Sequence, residues 1–347
     1  MAVARCGALS LDGDIFHRVQ DGMLESVNCD FCGAGESTAV ASQCDRLHRT
    51  TSESFTIVRC SSCGLHRTNP RPPAENMGAY YSADYAFHHA PPRLREALRR
   101  AAVAAVNGPL GFIADVVPTL GRRLGALVQP KIADFVRLYY AAGGSGDLLD
   151  IGCGAGASAH FWGARGSLLA YRHFTNVAGI EFAGEARKTL ESLGIVAWAD
   201  LHEVPPERRF GFIRMNWSLE HMHAPSRYFD FIQARLLDDG RAMIAVPNYD
   251  GLIYRLARDC VELPIHLYHF RPIDIENYAT RFGLRVVSVR TFSYPRMFTV
   301  AAQLEMLPPA FGRPSSVRSA REFQSALSRF DDANLGNDMI AILARDE

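Results

Sequence analysis

The sequence predicts an α/β protein whose mostly parallel sheet follows a small metal-binding module. Three observations carry this. Leu148–Ile151 is a short apolar strand with Asp150 near its end and a glycine run, Gly152-Cys153-Gly154-Ala155-Gly156, directly behind it. Apolar strands then alternate with stretches of helical spacing as far as Leu343. Two Cys-x-x-Cys pairs stand far upstream of all of these.

In chain order, the cysteine pairs come first. Cys29-Asp30-Phe31-Cys32-Gly33 and Cys60-Ser61-Ser62-Cys63-Gly64 offer four thiolates, a set that suits tetrahedral zinc. Each trailing glycine allows the tight turn that aims backbone N–H groups at sulfur. Four protein ligands close the shell, so the metal is expected to be structural. Cys6, Cys44, Cys153 and Cys260 are scattered and read as ordinary residues. Next come Asn69-Pro70-Arg71-Pro72-Pro73 and the cluster Tyr80, Tyr81 and Tyr85. The apolar run Ala101–Val117 is broken by Asn107, Gly108, Pro109 and Asp115, too often for a membrane span. With Leu94–Arg100 before it, it reads as helices with one apolar face.

In the glycine run, the backbone can approach a ligand closely, and the helix expected to open at Ala157 supplies free N–H groups. The run can be forced onto the dinucleotide pattern G-x-G-x-x-G/A, but fits D-x-G-x-G-x-G better. Val177–Ile180 is a second strand, and Glu181 at its end can accept from both hydroxyls of a ribose. A helix is expected over Glu185–Leu193, ended by Gly194. A third strand covers Ile195–Trp198, with Asp200 after it as nucleotide ligand or helix cap. Phe212–Asn216 is the fourth strand, and Trp217-Ser218-Leu219-Glu220-His221 is its exit loop. Pro225 starts a helix, Leu236–Gly240 is read as a turn, and Ala242–Val246 is the fifth strand, ending at Pro247-Asn248. Strands six and seven are expected at Leu284–Val289 and Met339–Leu343, with a helical stretch near Ala320–Phe330.

This ordered set resembles the class I S-adenosylmethionine-dependent methyltransferases over about 200 residues. The Leu219-Glu220-His221 tripeptide, the strand ending Val246-Pro247-Asn248, and His266–Pro272 look like their ubiquinone-biosynthesis-type branch. The cysteine pairs followed by Asn-Pro-Arg-Pro and the tyrosines resemble the N-terminal module of bacterial zinc-ribbon methyltransferases. Many of those act on sugars, glycans or secondary metabolites. The resemblance implies a Rossmann-like seven-stranded fold with a zinc ribbon and a helical cap. It also implies a cofactor site of Asp150, Gly152, Cys153, Gly154, Gly156, Glu181, Phe182, Asp200, Asn216 and Trp217. His221 is then the candidate general base, oriented by Glu220. Tyr80, Tyr81, Tyr85, His266 and His269 are candidates on the acceptor side, for a small-molecule, sugar or glycan substrate.

The chain is expected to divide into a tail (1–25), a zinc ribbon (26–75), a helical linker or cap (76–141) and a catalytic domain (142–347) with a substrate-side insertion near 296–336. Three departures from the family pattern stand out. Gly211 occupies the place of an acid before strand four, and the gap from Gly156 to Glu181 is long. Trp217 occupies the place of the first acid of an acid-x-x-Glu-His set that binds a divalent metal in some relatives, which argues against a catalytic metal. These substitutions keep open a scaffold that has lost its chemistry. Methylation of a protein or RNA, and nicotinamide chemistry, stay open as well. Of 347 residues, 37 are basic and 37 acidic, so no footprint for nucleic acid is visible. Residues 1–20 do not read as a signal peptide, which suggests a cytoplasmic protein.

Overall fold

The structure is a computed structural model that describes residues 24–81, 146–155, 174–192, 194–257, 261–293, 298 and 317–346. The described residues form two sheets. The smaller holds β1 (Ser37–Cys44), β2 (Ser54–Cys60), β3 (His66–Thr68) and β9 (Tyr268–His269), all antiparallel. The larger has the order β10-β11-β8-β7-β4-β5-β6. Its strands are β4 (Gly146–Ile151), β5 (Phe174–Ile180), β6 (Val196–Trp198), β7 (Phe210–Asn216), β8 (Leu236–Pro247), β10 (Leu284–Phe292) and β11 (Asp338–Arg345). β4 to β8 run parallel, and β11 lies antiparallel between β8 and β10.

The strands are apolar throughout because both faces are covered. Leu148, Phe212, Met243, Ala245, Ile340 and Ile342 pack on one face. Their chain neighbours Leu149, Ile213, Ile244, Val246, Met339 and Ala341 pack on the other. The second cluster continues without a break into Phe55, Ile57, Leu65, Met77 and Tyr80. The N-terminal module therefore shares a core with the large sheet. Each Leu, Ile, Val, Phe or Met among them, fully buried, stabilises the fold by roughly 1.5–3 kcal/mol.

Among the described residues the α-helices are α1 (Gly184–Ser192), α2 (Pro225–Arg235), α3 (Leu252–Leu256), α4 (Pro272–Arg281) and α5 (Val317–Asp332), with 3-10 turns at Ala74–Tyr80, Leu201–Glu203 and Leu219–His221. α2 has Ala224 at its N-cap, a residue with no side-chain acceptor. The missing acceptor comes from the first cysteine knuckle: Asp30 accepts from Ser226 N and Ser226 Oγ, each at 2.8 Å. Asp30 also accepts from Tyr278 Oη on α4 at 2.8 Å. The second knuckle meets α4, where the Arg271 guanidinium donates to Gly64 O at 3.1 Å and to Asp274 at 2.8 Å.

Some expectations change. The turn expected at Leu236–Gly240 is part of β8, because Leu236 already pairs with Phe210 and the extra residues bulge out before Arg241 pairs with Phe212. Gly211 lies within β7. Cys44, read as an ordinary residue, is disulfide-bonded. The expected cap helices, the helix opening at Ala157 and the tail lie outside the described residues. Among the described residues, no helix is long and apolar enough to cross a membrane.

Candidate active site

After β4 the chain builds outward through β5 to β6, then crosses back to β7 on the other side. That reversal leaves a crevice between the carboxyl ends of β4 and β7, the place where open α/β sheets bind ligands. The glycine loop forms one wall and the exit loop of β7 the other. They touch: Ser218 Oγ donates to Ile151 O at 2.7 Å. Gly152 has φ +76°, and a Cβ there would lie 2.4 Å from Ser218 Cβ, so glycine is required twice over.

Glu181 secures the first wall. Its Oε2 accepts from Gly154 N at 2.8 Å and its Oε1 from Ala183 N at 2.9 Å. Burial raises its pKa despite these bonds. Phe182, next in the chain, is 57% exposed with its ring 6.0 Å from that of Tyr81. Asp150 is fully buried. Its carboxylate receives Arg214 Nε at 3.1 Å and a second guanidinium nitrogen at 2.5 Å, from the opposite residue of β7. It braces the loop from beneath and has no exposed surface to offer a ligand. Asp200 caps a short turn, accepting from His202 N at 3.1 Å and meeting Arg227 at 3.4 Å. Gly156 lies outside the described residues.

The second wall is made differently. Asn216 ends β7, and Trp217 turns the chain with φ +52° while its Nε1 donates to Asp338 Oδ1 at 3.0 Å. Glu220 is 1% exposed, and neither carboxylate oxygen has a hydrogen-bond partner. Burial pushes its pKa well above the usual range. His221 Nδ1 lies 2.9 Å from Ile265 O, so that nitrogen carries the proton and Nε2 keeps a lone pair. Burial, with His266 beside it, lowers the His221 pKa to about 3. The two imidazoles meet edge to face, with centroids 4.8 Å apart.

Three groups here carry no recognisable signal in the sequence. Glu262 Oε2 lies 3.7 Å from His266 Nε2 and 3.0 Å from His48 Nε2, which comes from the loop between β1 and β2. Burial alone would raise the Glu262 pKa, but the His48 hydrogen bond and the neighbouring imidazoles lower it to about 2. The Glu262 side chain is still 37% exposed. Asp338 is the third, and burial raises it to about 7.

The acceptor-side candidates separate. Tyr81 lies between Phe182 and His221, its ring 6.2 Å from the imidazole. Tyr80 instead packs edge to face on Phe55 inside the N-terminal module. His269 is buried in β9 with Nε2 3.0 Å from Thr68 Oγ1, and so ties together two neighbouring strands of the smaller sheet. His223 Nε2 lies 3.0 Å from Pro72 O. Tyr85 lies outside the described residues.

The four cysteines come together at the head of the module. Cys29 and Cys63 sulfurs are 3.5 Å apart, as are those of Cys32 and Cys60, and all four lie within 4.8 Å of one another. A zinc tetrahedron with bonds of ~2.3 Å has sulfur–sulfur edges of about 3.8 Å, so the set fits that metal. Gly33 (φ +77°) and Gly64 (φ +80°) close the two knuckles by donating to Cys29 O and Cys60 O.

Residues 122–289 match the family model described as a methyltransferase domain. No curated protein matches the sequence. Among solved structures, the chain is similar to an S-adenosylmethionine-dependent methyltransferase from Archaeoglobus fulgidus (18% identity over 63% of this chain and 94% of that one, TM-score 0.42). Two others come from Mesorhizobium loti (14%, 60% and 96%, 0.40) and Clostridium acetobutylicum (12%, 63% and 92%, 0.38). The family match and the seven-stranded sheet define the protein as a class I S-adenosylmethionine-dependent methyltransferase, EC 2.1.1.-.

Proposed function

We propose that the protein methylates a small hydroxylated acceptor, of the sugar, glycan or secondary-metabolite kind, and that a structural zinc stabilises its N-terminal module. One observation carries the acceptor reading: the two walls of the crevice and the N-terminal module meet at Tyr81, between Phe182 and His221. Beyond it, the partly exposed Glu262 carboxylate, His48 and His266 offer polar contacts to hydroxyl groups.

S-adenosylmethionine supplies a methyl group already activated by its sulfonium, so the protein has mainly to align the acceptor with it. Gly152, Cys153, Gly154 and Gly156 form the loop for the cofactor, with Asn216 and Trp217 opposite. Each Glu181 oxygen spends one lone pair on the backbone and keeps another for a ribose hydroxyl. The exposed Phe182 ring suits the flat face of a base, and Asp200 lies near the same edge. Asp150 supports this wall through Arg214. His221 Nε2 is the candidate to take the acceptor's proton. Its low basicity makes it effective only once that proton becomes acidic in the transition state.

In this reading residues 26–75 are the zinc ribbon, 76–141 cap the crevice, 142–347 are the catalytic domain, and 296–336 lie on the substrate side. Calorimetry with S-adenosylmethionine, S-adenosylhomocysteine and NADH tests the cofactor. The sulfur compounds should bind with micromolar affinity, and Glu181→Ala should weaken them about 10- to 100-fold by removing charge-assisted hydrogen bonds. Binding of NADH alone, or full affinity in Glu181→Ala, would refute the assigned pocket. Metal analysis should find about one zinc per chain in the cysteine site, lost in Cys29→Ser.

A further inference from the structure

We propose that Glu220, His221 and His266 form a second metal site, for a divalent cation of intermediate hardness, on the β7 wall of the crevice. One carboxylate oxygen and one nitrogen from each imidazole lie within 4.8 Å of one another. The sharpest indication is Glu220. Its carboxylate is 1% exposed and both oxygens lack a hydrogen-bond partner, a state unfavourable inside a protein unless a cation or a proton meets it. The charged groups acting on it, Glu262 and Asp338, are both acidic, so they repel rather than compensate. A divalent cation supplies the missing charge and uses the orphaned oxygens.

The imidazoles are oriented as ligands are. His221 is fixed through Nδ1 by the Ile265 carbonyl, leaving Nε2 free, 3.9 Å from Glu220 Oε1. Glu262 stands beside His266 and is itself held by His48, the arrangement of an outer-shell carboxylate behind a metal-bound histidine. This set does not use position 217, whose indole is committed to Asp338. The ligand that completes it, His266, comes from a segment distant in sequence. The absence of an acid at 217 therefore does not leave the site incomplete. Two imidazoles and one carboxylate suit zinc, manganese, iron or cobalt, in contrast to the all-thiolate site.

Whether the cation binds does not depend on the acceptor reading, but its role does. Bound there, it would coordinate an acceptor hydroxyl and acidify it, and His221 would act as ligand in place of base.

The test uses the full chain with its cysteine site filled by zinc, titrated with Co2+ and followed by calorimetry and visible absorption. One further equivalent should bind, with ligand-field bands and no thiolate charge-transfer band. Glu220→Gln and His266→Gln should lose that equivalent while keeping cysteine-bound zinc and a cooperative melt. Glu262→Gln should weaken it about 10- to 100-fold. No second equivalent in the wild type, a thiolate band on binding, or undiminished uptake in both ligand variants would overturn the proposal. Uptake of Co2+ by a protein that binds no S-adenosylhomocysteine would leave the cation site standing and remove the cofactor reading alone.

Discussion

The two walls of the crevice treat a buried carboxylate in opposite ways. On the glycine-loop side, Glu181 has both oxygens satisfied by backbone N–H groups, and Asp150 has both satisfied by Arg214. On the β7 side, Glu220 has neither oxygen satisfied and Asp338 only one. The first wall is complete as folded. The second holds carboxyl groups inside the protein whose oxygens are short of partners, the feature that distinguishes a site for a cation or polar ligand from a scaffold.

The largest expected effect tests the completed wall. Asp150→Ala removes both hydrogen bonds that the buried carboxylate receives from Arg214, itself 1% exposed on a central strand. It should cost about 3–5 kcal/mol in urea unfolding, the usual result of breaking a buried pair. On the other wall the sign should reverse. The Asp338 pKa rises from 3.8 to about 7, so the native state binds the proton more tightly than the unfolded chain. Wild-type stability should then fall as pH rises from about 4 through about 7. Asp338→Asn, which cannot ionise, should be the more stable protein at pH 8, by about 2–4 kcal/mol. Equal stability of the two proteins across that range would erase the contrast between the walls.

The junction comes next. Gly152→Ala combines a left-handed backbone with the approach to Ser218 and should cost about 1–3 kcal/mol, read from the same unfolding curves. Asp30→Ala removes the cap that the cysteine knuckle lends to α2 and should cost about 1 kcal/mol, with cysteine-bound zinc retained. Loss of the zinc in that variant would mean that Asp30 shapes the knuckle rather than the helix.

The complete wall was also the readable one. Its parts are local: a strand, Gly152 to Gly156, and a second strand ending at Glu181, each with a short pattern fixed by backbone geometry. The cysteine pairs were readable for the same reason. The β7 wall was only half legible. Glu220 and His221 follow their strand directly, but His48, Glu262 and Asp338 arrive from loops and a strand far apart in the chain. No spacing rule links a histidine between two strands of one sheet to a glutamate that follows α3, far along the chain. The Asp150–Arg214 pair was hidden too, because register between β4 and β7 is a property of the folded sheet. Tyr80 and His269 illustrate the converse. Residue types suited to an active site are here used for packing, and burial, which sequence does not show, decides between the two.

The two-residue strand β9 constrains the order of events in folding. His66 and Arg67 of β3 pair with residues about 200 positions later. On the ribosome, the cysteine knuckles can form early, but β3 stays an open edge until Tyr268 and His269 have been synthesised. Closing so long a loop is entropically slow, and until it closes the edge is available to other chains. A protein ending before Tyr268 should therefore aggregate through its N-terminal sheet, even though every residue of β1, β2 and β3 is present.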